Sequence, residues 1–239
     1  TINYDPTAVL NYLPAGQTVT DTFTYTLQDE TGRESVGTVT VMVTGVNDDP
    51  VAQNDIITTD EDNSISGSLF TDNGGGIDSD PDAGDSFTVT AVSGGAVGSQ
   101  ITLASGALLT VNAIGGTFSY DPNGAFESLA LLDTDTDSFT YTIVDAQGAT
   151  DTATVTITIT GVNDNPVAVD DAFSTNEDTP LLGGNVLDAN PITSDPDSDA
   201  EGQTITVIGV NGGPLGATQI TLDSGMHPGA LLTLNAVGM

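Results

Sequence analysis

The chain has 239 residues, of which 34 are acidic; Arg33 is its only Lys or Arg, and the formal net charge is −33. This charge excludes nucleic-acid partners and anionic membrane surfaces, because binding to phosphates depends largely on Lys and Arg, and it favours a cationic counter-species. The absence of Cys excludes disulfides, thiol catalysis and thiolate zinc sites. No apolar run approaches the ~20 residues of a membrane span, so we expect no membrane insertion.

Alternating Thr and apolar residues predict β-strands at residues 20–27, 38–43 and 152–159. Turn-forming residues separate paired strands at 29–32 and 145–148. Residues 129–132 are the only short helical candidate. We therefore predict an all-β fold in which antiparallel hairpins stack into two sheets. Tyr25 and Tyr141 are expected to pack in the core or at the end of the sandwich.

The sequence repeats with a period of 116 residues: residues 23–26 recur as 139–142, and residues 45–48 recur as 161–164. This period exceeds the ~20–50 residues of a solenoid repeat and suits a whole β-sandwich domain. Linkers ending in Pro50 and Pro166 mark the repeat edges. We predict one complete repeat at residues 49–164, the C-terminal portion of a repeat at 1–48, and the N-terminal portion of another at 165–239.

Oxygen-bearing side chains recur in three elements: an Asn-Asp pair in each linker, an acidic loop, and a Glu at the end of the first strand. Asp outnumbers Glu by 28 to 6, and calcium takes about 6–8 oxygen ligands that alternating Asp residues on a loop can supply. The loop at 78–82 aligns with 195–199. The candidate ligands in these elements are Asn47, Asp48, Glu61, Asp78, Asp80, Asp82, Asn163, Asp164, Glu177, Asp195, Asp197 and Asp199. The alternative is that the Asp clusters are turns and solvated loops.

Two motif sets resemble known bacterial repeats. Residues 16–26 with 45–48 resemble the VCBS repeat of giant bacterial surface proteins, and residues 166–171 with 176–180 resemble the related bacterial cadherin-like tandem repeats. The resemblance implies a tandem Greek-key β-sandwich fold of cadherin or Ig type, with one complete domain and two half-domains. It also implies secreted, calcium-stiffened extender domains of adhesins on the bacterial cell surface, often exported by type I secretion.

The same resemblance implies how the ligands meet. Asp145 resembles a fourth cadherin ligand, which with Asp78 and Asp80 would meet Asn47 and Asp48 at the preceding junction. Glu61 would meet the Asn-Asp pair and the acidic loop of the following junction. The Asp-Arg-Glu ligand motif of cadherins is missing from this sequence.

Three functions remain open from the sequence. The first is a calcium-rigidified structural extender of a surface adhesin, whose partners are neighbouring repeats of the same array. The second is a subunit of an extracellular fibre, in which half-domains of successive chains complete each other head to tail. The third is a carbohydrate- or partner-binding module, although the chain has no Trp and only 5% aromatic residues. We expect no enzyme, because the chain contains no Lys and no Cys and no recurring Ser-His-Asp set.

Overall fold

The computed structural model describes residues 2–182, 184–188 and 196–210, and the backbone of three short segments at 213–214, 220–222 and 230–232. These residues divide into two units. The first comprises Thr1–Phe126 and Leu132–Gly161, and the second comprises Glu127–Leu131 and Val162–Met239. Among the described residues, no helix has the length and apolar character needed to cross a membrane.

The first unit opens with a long hairpin. Strand β1 (Thr18–Gln28) pairs antiparallel with β2 (Glu34–Thr44), in a register that places Thr18 opposite Thr44. The turn is closed by Asp29, whose Oδ1 accepts hydrogen bonds from the backbone N–H groups of Thr31 at 2.8 Å and Arg33 at 2.9 Å. No other strand among the described residues pairs with this hairpin, which forms a 2-stranded sheet.

The rest of the first unit is a β-sandwich of two 4-stranded sheets. Its strands in chain order are β3 (Asp55–Asp60), β4 (Ile65–Ser68), β5 (Thr88–Val92), β6 (Gln100–Thr102), β7 (Leu108–Val111), β8 (Thr117–Asp121), β9 (Thr134–Val144) and β10 (Thr150–Thr160). One sheet has the order β3-β10-β9-β5, with β3 parallel to β10, and the other has the order β4-β8-β7-β6. The chain therefore crosses between sheets after β3, β4, β5 and β8, as in Greek-key sandwiches.

The core lies between the two sheets, where alternate residues of each strand point inward. On β9, Phe139 is 2% exposed and Tyr141 is fully buried, and on β10 Ile157 is fully buried. They face apolar side chains of the opposite sheet such as Leu109 and Tyr120, which are also fully buried. The predictions of an all-β sandwich fold and of a core position for Tyr141 are confirmed.

Hairpin β1–β2 repeats the sequence and register of β9–β10 but lacks their burial. Its pair Thr18↔Thr44 corresponds to Thr134↔Thr160, 116 residues later. Tyr25, the counterpart of Tyr141, is 46% exposed. The prediction that Tyr25 packs in a core is therefore wrong for the described residues, because no second sheet covers its face.

The one short helical candidate of the sequence also differs from the structure. Residues 129–132 form no helix: Leu132 has φ = +70°, and its N–H bonds to the Gly161 carbonyl at 3.0 Å. This backbone conformation is left-handed and ends any helical turn. A short 3-10 turn occurs instead at Ile114–Gly116.

The second unit contains short hairpins that follow the pattern of the sandwich. Strand β11 (Gly209–Val210) pairs with β12 (Gly213–Pro214), and β13 (Ile220–Leu222) pairs with β14 (Ala230–Leu232). The pair Ile220↔Leu232 corresponds to Ile101↔Leu109 of the sandwich. The division into residues 1–48, 49–164 and 165–239 remains a prediction.

Phe139→Ala and Phe23→Ala form a matched pair for the burial difference between the two hairpins. Phe139 is 2% exposed and Phe23 is 39% exposed at the same position of the repeat. Phe139→Ala is expected to lower the free energy of unfolding by about 3–5 kcal/mol because it leaves a cavity. Phe23→Ala should cost less than about 1 kcal/mol. Urea unfolding of the dilute chain measures both, and equal losses would contradict the assignment of the core.

Candidate metal centre

Oxygen-bearing side chains from three separate segments lie close together between hairpin β1–β2 and the sandwich. One of these segments is the linker itself. The linker supplies Asn47 and Asp48, the loop between β4 and β5 supplies three Asp residues, and the turn between β9 and β10 supplies one. We call this group the linker cage. Its members are Asn47, Asp48, Asp80, Asp82, Asp85 and Asp145.

Hydrogen bonds hold the three segments together. The Asn47 side-chain Nδ2 donates to Asp145 Oδ2 at 2.7 Å. The Asp48 backbone N–H donates to Asp82 Oδ2 at 3.0 Å, and the Asp82 N–H donates to Asp80 Oδ1 at 2.9 Å. The geometry of the cage therefore depends on the linker, the acidic loop and the β9–β10 turn together.

The local sequence explains how the acidic loop reaches the linker. Asp82 accepts the N–H of Asp85 on its carbonyl at 3.1 Å, which closes a turn around Gly84 at φ = +84°. A non-Gly residue is strained at this φ. The Ala83 N–H donates to the Tyr12 carbonyl at 2.9 Å, so the loop is also anchored to the segment before β1.

Four oxygen atoms of the cage are buried and find no hydrogen-bond donor among the described residues. They are Asn47 Oδ1, Asp80 Oδ2, Asp82 Oδ1 and Asp85 Oδ2. Carboxylate oxygens of Asp80, Asp85 and Asp145 lie within 4.8 Å of one another. Buried carboxylates without donors are costly, since a charge loses its hydration there without compensation. An oxygen-binding cation fits this donor set, because every available ligand atom is a hard oxygen.

The pKa values reflect this crowding. Burial raises the pKa of Asp80, and the neighbouring charges of Asp85, Asp82 and Asp145 add to that rise. The pKa of Asp145 is lowered, first by the hydrogen bond from Asn47. Asp145 Oδ1 also accepts the N–H groups of residues 147, 148 and 149 at 2.9, 2.6 and 2.8 Å. The ionised form is therefore favoured at Asp145 and disfavoured at Asp80. A nearby cation would favour the ionised form of Asp80.

Asp78 was a sequence candidate for the cage, but its carboxylate is directed into the sandwich. Its Oδ1 accepts the Gln53 N–H at 2.7 Å, and its Oδ2 accepts the Tyr141 hydroxyl at 2.9 Å. Burial raises its pKa. Asp78 therefore links the start of the sandwich to β9. Asp85, which follows the acidic run and was not among the candidate ligands, joins the cage.

The second unit repeats the arrangement with a shift that the sequence alignment did not show. Val169 N–H donates to Asp197 Oδ1 at 2.7 Å, as Gln53 does to Asp78. Asp164 N–H donates to Glu201 Oε1 at 2.7 Å, as Asp48 does to Asp82.

Asp197 therefore corresponds to Asp78, Asp199 to Asp80 and Glu201 to Asp82, two positions away from the sequence alignment. The isolated bridges Val51↔Ser79 and Val167↔Ser198 give the same register. Asp195 lies outside the described residues. Glu201 was not among the sequence candidates, although its Oε2, like Asp164 Oδ2, is buried without a described donor.

The remaining candidates differ between the repeats. Asn163 Nδ2 bonds to the Asp164 carbonyl at 2.8 Å, as Asn47 bonds to that of Asp48, and Asn163 Oδ1 accepts the Gln203 side chain at 3.1 Å. Glu61 is 2% exposed just after β3, whereas Glu177 is exposed in a turn. The proposed ligand roles of Glu61 and Glu177 remain predictions.

Two regions of the chain match known protein families. Residues 47–161 match the family model of the bacterial cadherin-like domain. This match is consistent with a bacterial cadherin-like repeat. Residues 163–233 match the bacterial Ig domain. Both families are structural modules, and the two matches support a structural or adhesion-related extracellular repeat. Cadherin-like domains are typically extracellular and generally bind Ca²⁺.

Solved structures similar to this cadherin-like chain include three fragments of protocadherins. They are domains 1–4 of protocadherin gamma B7 (12% identity, 92% of this chain, 59% of that chain, TM-score 0.39), domains 3–6 of gamma B7 (16%, 92%, 51%, 0.37) and domains 3–6 of gamma B2 (18%, 82%, 44%, 0.35). The chain thus spans about half the length of these structures. Comparison with curated proteins gave no match.

A second buried acid, Asp55, lies inside the sandwich away from the cage. It is 1% exposed, and its Oδ1 accepts the Asn73 side chain at 2.8 Å. Burial raises its pKa from 3.8 to about 6, and the nearby charge of Asp78 adds to the rise. The folded state therefore binds a proton at Asp55 more tightly than the unfolded state does.

Asp55→Asn is expected to remove a pH dependence of stability. In the unmodified chain, the free energy of unfolding should fall by about 3 kcal/mol as the pH rises from about 4 through about 6, because only the folded state favours the protonated acid. Asn does not titrate, and its carbonyl oxygen can still accept from Asn73. Urea unfolding in chelator across this pH range measures the difference. Asp135→Asn, an exposed control on β9, should retain the full dependence; a loss there would contradict the assignment to Asp55.

Proposed function

We propose that this chain is a calcium-rigidified extender of a bacterial cell-surface adhesin, which projects a distal binding domain. The observation that carries the proposal is the linker cage, where four buried oxygens lack a donor among the described residues. They lie where one repeat joins the next. A cation at this place acts on the angle between repeats as well as on their stability.

The donor set favours Ca²⁺ over other common ions. Asp80, Asp82, Asp85 and Asp145 would hold the ion together with Asn47 Oδ1, and all of these ligands are oxygens. Ca²⁺ accepts irregular sets of about 6–8 oxygens, whereas Mg²⁺ requires near-ideal octahedral geometry and keeps several waters. Zinc sites usually contain Cys or His, and the cage has neither. The bound ion supplies the positive charge that the single basic residue of the chain cannot provide.

Rigidity follows from the origin of the ligands. Asn47 lies in the linker, Asp80, Asp82 and Asp85 lie in the acidic loop, and Asp145 lies in the β9–β10 turn. An ion bound to all three segments fixes the linker to the sandwich. Without the ion, like charges at about 4–5 Å repel one another, so the linker gains freedom. An extender domain needs this fixed state to hold a distal domain away from the cell.

A secreted location agrees with the composition. The chain has no disulfide to stabilise it outside the cell, and a metal is another way to tie a small domain together. Calcium therefore would combine two roles, stabilising each repeat and setting the stiffness of the array.

Calcium is expected to raise the melting temperature, with a stabilisation of about 2.7 kcal/mol when free Ca²⁺ exceeds its dissociation constant 100-fold. Mg²⁺ at the same concentration should give a smaller shift. Asp85→Asn should weaken the calcium response, because it removes one ligand charge. Asp135→Asn changes the net charge equally and should leave the response intact. Calorimetric melting with Ca²⁺, Mg²⁺ and chelator measures these shifts; an unchanged melting temperature between chelator and Ca²⁺ would rule out the proposed function.

Calcium should also narrow the distribution of distances between the hairpin and the sandwich. The chain has no Cys, so Ser35→Cys with Ser99→Cys introduces one spin-label pair at two exposed positions, one on β2 and one before β6. Double electron–electron resonance between the two spin labels should show a narrow distance distribution in Ca²⁺ and a broad one in chelator. The pair combined with Asp85→Asn should remain broader in Ca²⁺. The same narrow distribution in both conditions would mean that the linker is rigid without a metal.

A further inference from the structure

The hydrogen bond between Tyr141 and Asp78 lies between two of the segments that form the linker cage. The Tyr141 hydroxyl donates to Asp78 Oδ2 at 2.9 Å and to the Gln53 carbonyl at 3.1 Å. Asp145 follows Tyr141 by four residues, at the end of the same strand. Asp80 follows Asp78 by two residues, which span at most about 7 Å. The contact therefore joins β9 to the acidic loop close to the point where both segments enter the cage.

The start of the acidic loop is also held to the chain that leaves the linker. The Val51 N–H donates to the Ser79 carbonyl at 2.7 Å, and the Ser79 N–H donates to the Val51 carbonyl at 3.0 Å. The Ala52 N–H donates to Asp151 Oδ2 at 2.9 Å, which ties the same segment to β10. The loop, residues 51–53 and hairpin β9–β10 thus form one hydrogen-bonded group, and Tyr141 is its fully buried member.

The bonding of Asp78 differs from that of the acids in the cage. Its Oδ1 accepts a backbone N–H at 2.7 Å and its Oδ2 accepts the Tyr141 hydroxyl, so both oxygens have donors. Asp80 Oδ2, Asp82 Oδ1 and Asp85 Oδ2 find no donor among the described residues. The acidic loop therefore contains one acid that fixes its position and others whose oxygens are available to an ion.

Loss of the tyrosine hydroxyl would move the loop. Asp78 is 5% exposed, and without its donor Oδ2 would be a buried charged oxygen, which is costly. The only Lys or Arg of the chain, Arg33, lies between β1 and β2. The Asp78 carboxylate would then turn towards water and displace the residues that follow it. The distance between Asp80 and Asp145 would change, and the fit of a cation between them would be lost.

We propose that Tyr141 positions the linker cage: through Asp78, its hydroxyl holds the acidic loop at the distance from the β9–β10 turn that a bound cation requires. The hydrogen bonds of Tyr141 go to Asp78 and Gln53, and neither is a member of the cage. Tyr141 is thus a positioning residue and not a ligand. The proposal rests on the proposed function, because the property that Tyr141 controls is the affinity of the cage for Ca²⁺.

Tyr141→Phe tests this role, because it removes the hydroxyl and keeps the buried ring. Tyr120→Phe is the matched control: Tyr120 is also fully buried, and its hydroxyl also donates to a carboxylate, Asp137 Oδ2, at 3.2 Å. A Ca²⁺ titration of the whole chain, followed by the backbone amide NMR signals of Asp82 and Asp145, reports on the linker cage separately from other sites. Tyr141→Phe should raise the dissociation constant for Ca²⁺ about 10-fold, and Tyr120→Phe should leave it unchanged.

Variants of Asp78 separate positioning from ligation. Asp78→Asn loses the charge but keeps an oxygen that can accept a hydrogen bond, so it should weaken Ca²⁺ binding less than Asp80→Asn does. Asp78→Ala removes the partner of Tyr141 and should weaken binding as Tyr141→Phe does. Combining Asp78→Ala with Tyr141→Phe should add little further loss, because both changes break the same contact. Asp78→Ala leaves no buried charge without a donor, so it tests the proposal even if Tyr141→Phe does not fold.

Hydrogen exchange in chelator gives a readout that does not depend on calcium. The N–H groups of Ser79 and Asp82 are bonded to the Val51 carbonyl and to Asp80 Oδ1. Both should exchange about 5- to 10-fold faster in Tyr141→Phe, since the contact that holds the loop is gone. Exchange of the two groups should be unchanged in Tyr120→Phe.

The proposal is overturned if Tyr141→Phe binds Ca²⁺ as tightly as the unmodified chain, or if Tyr120→Phe weakens binding to the same extent. Unchanged exchange at Ser79 and Asp82 has the same consequence. If the cage signals of the unmodified chain do not respond to Ca²⁺, the proposed function fails and the positioning role fails with it. A full response that Tyr141→Phe retains removes the positioning role alone, so the two failures are distinguishable.

Discussion

The structure depends on how the negative charge of its buried carboxylates is balanced, because the chain has a single Lys or Arg. Hydrogen-bond donors and bound cations are the two available means. Asp145 Oδ1 accepts from three backbone N–H groups, and Asp78 accepts from one backbone N–H and one tyrosine hydroxyl. The linker cage collects the oxygens for which the described residues provide no donor. Since a buried charge without a partner is strongly destabilising, this place has the greatest need of an external cation. A cation bound there, as proposed, would therefore stabilise the folded linker.

Sequence alternation was sufficient to predict the fold because β9 and β10 each bury one face, and hairpin β1–β2 repeats their pattern of residues. The predicted strands at 20–27, 38–43 and 152–159 lie within β1, β2 and β10, and the 116-residue period carried the register from one hairpin to the other. The short helical candidate at 129–132 is not a helix, for a local reason. Four residues of high helix propensity cannot outweigh the left-handed backbone at Leu132 and its bond to Gly161.

The candidate site was harder to predict, because residue type identifies a carboxylate but not its direction. Asp78 and Asp80 stand two positions apart, yet one reaches the Tyr141 hydroxyl and the other joins the cage. Asp85 follows the alternating run and was not among the candidate ligands, but the turn at Gly84 brings its carboxylate close to those of Asp80 and Asp145. The two-residue shift in the second unit became visible only from hydrogen bonds. Asp197 and Glu201 are recognised by the N–H groups they accept, those of Val169 and Asp164, and no count of Asp spacings contains that information.

The two copies of one hairpin show how far burial depends on context. Phe-Thr-Tyr-Thr is present at residues 23–26 and 139–142, but Phe139 and Tyr141 are buried while Phe23 and Tyr25 are not. The difference lies outside the motif, in the strands that cover β9 and β10. Asp151 illustrates the same dependence: it accepts the Ala52 N–H at 2.9 Å, and position 35, 116 residues earlier, is Ser. A repeat that has its covering strands carries side chains tuned to them, and a hairpin without them keeps the apolar face but not every polar contact. The hairpin therefore carries an apolar face in both copies, whereas the polar contacts differ between them.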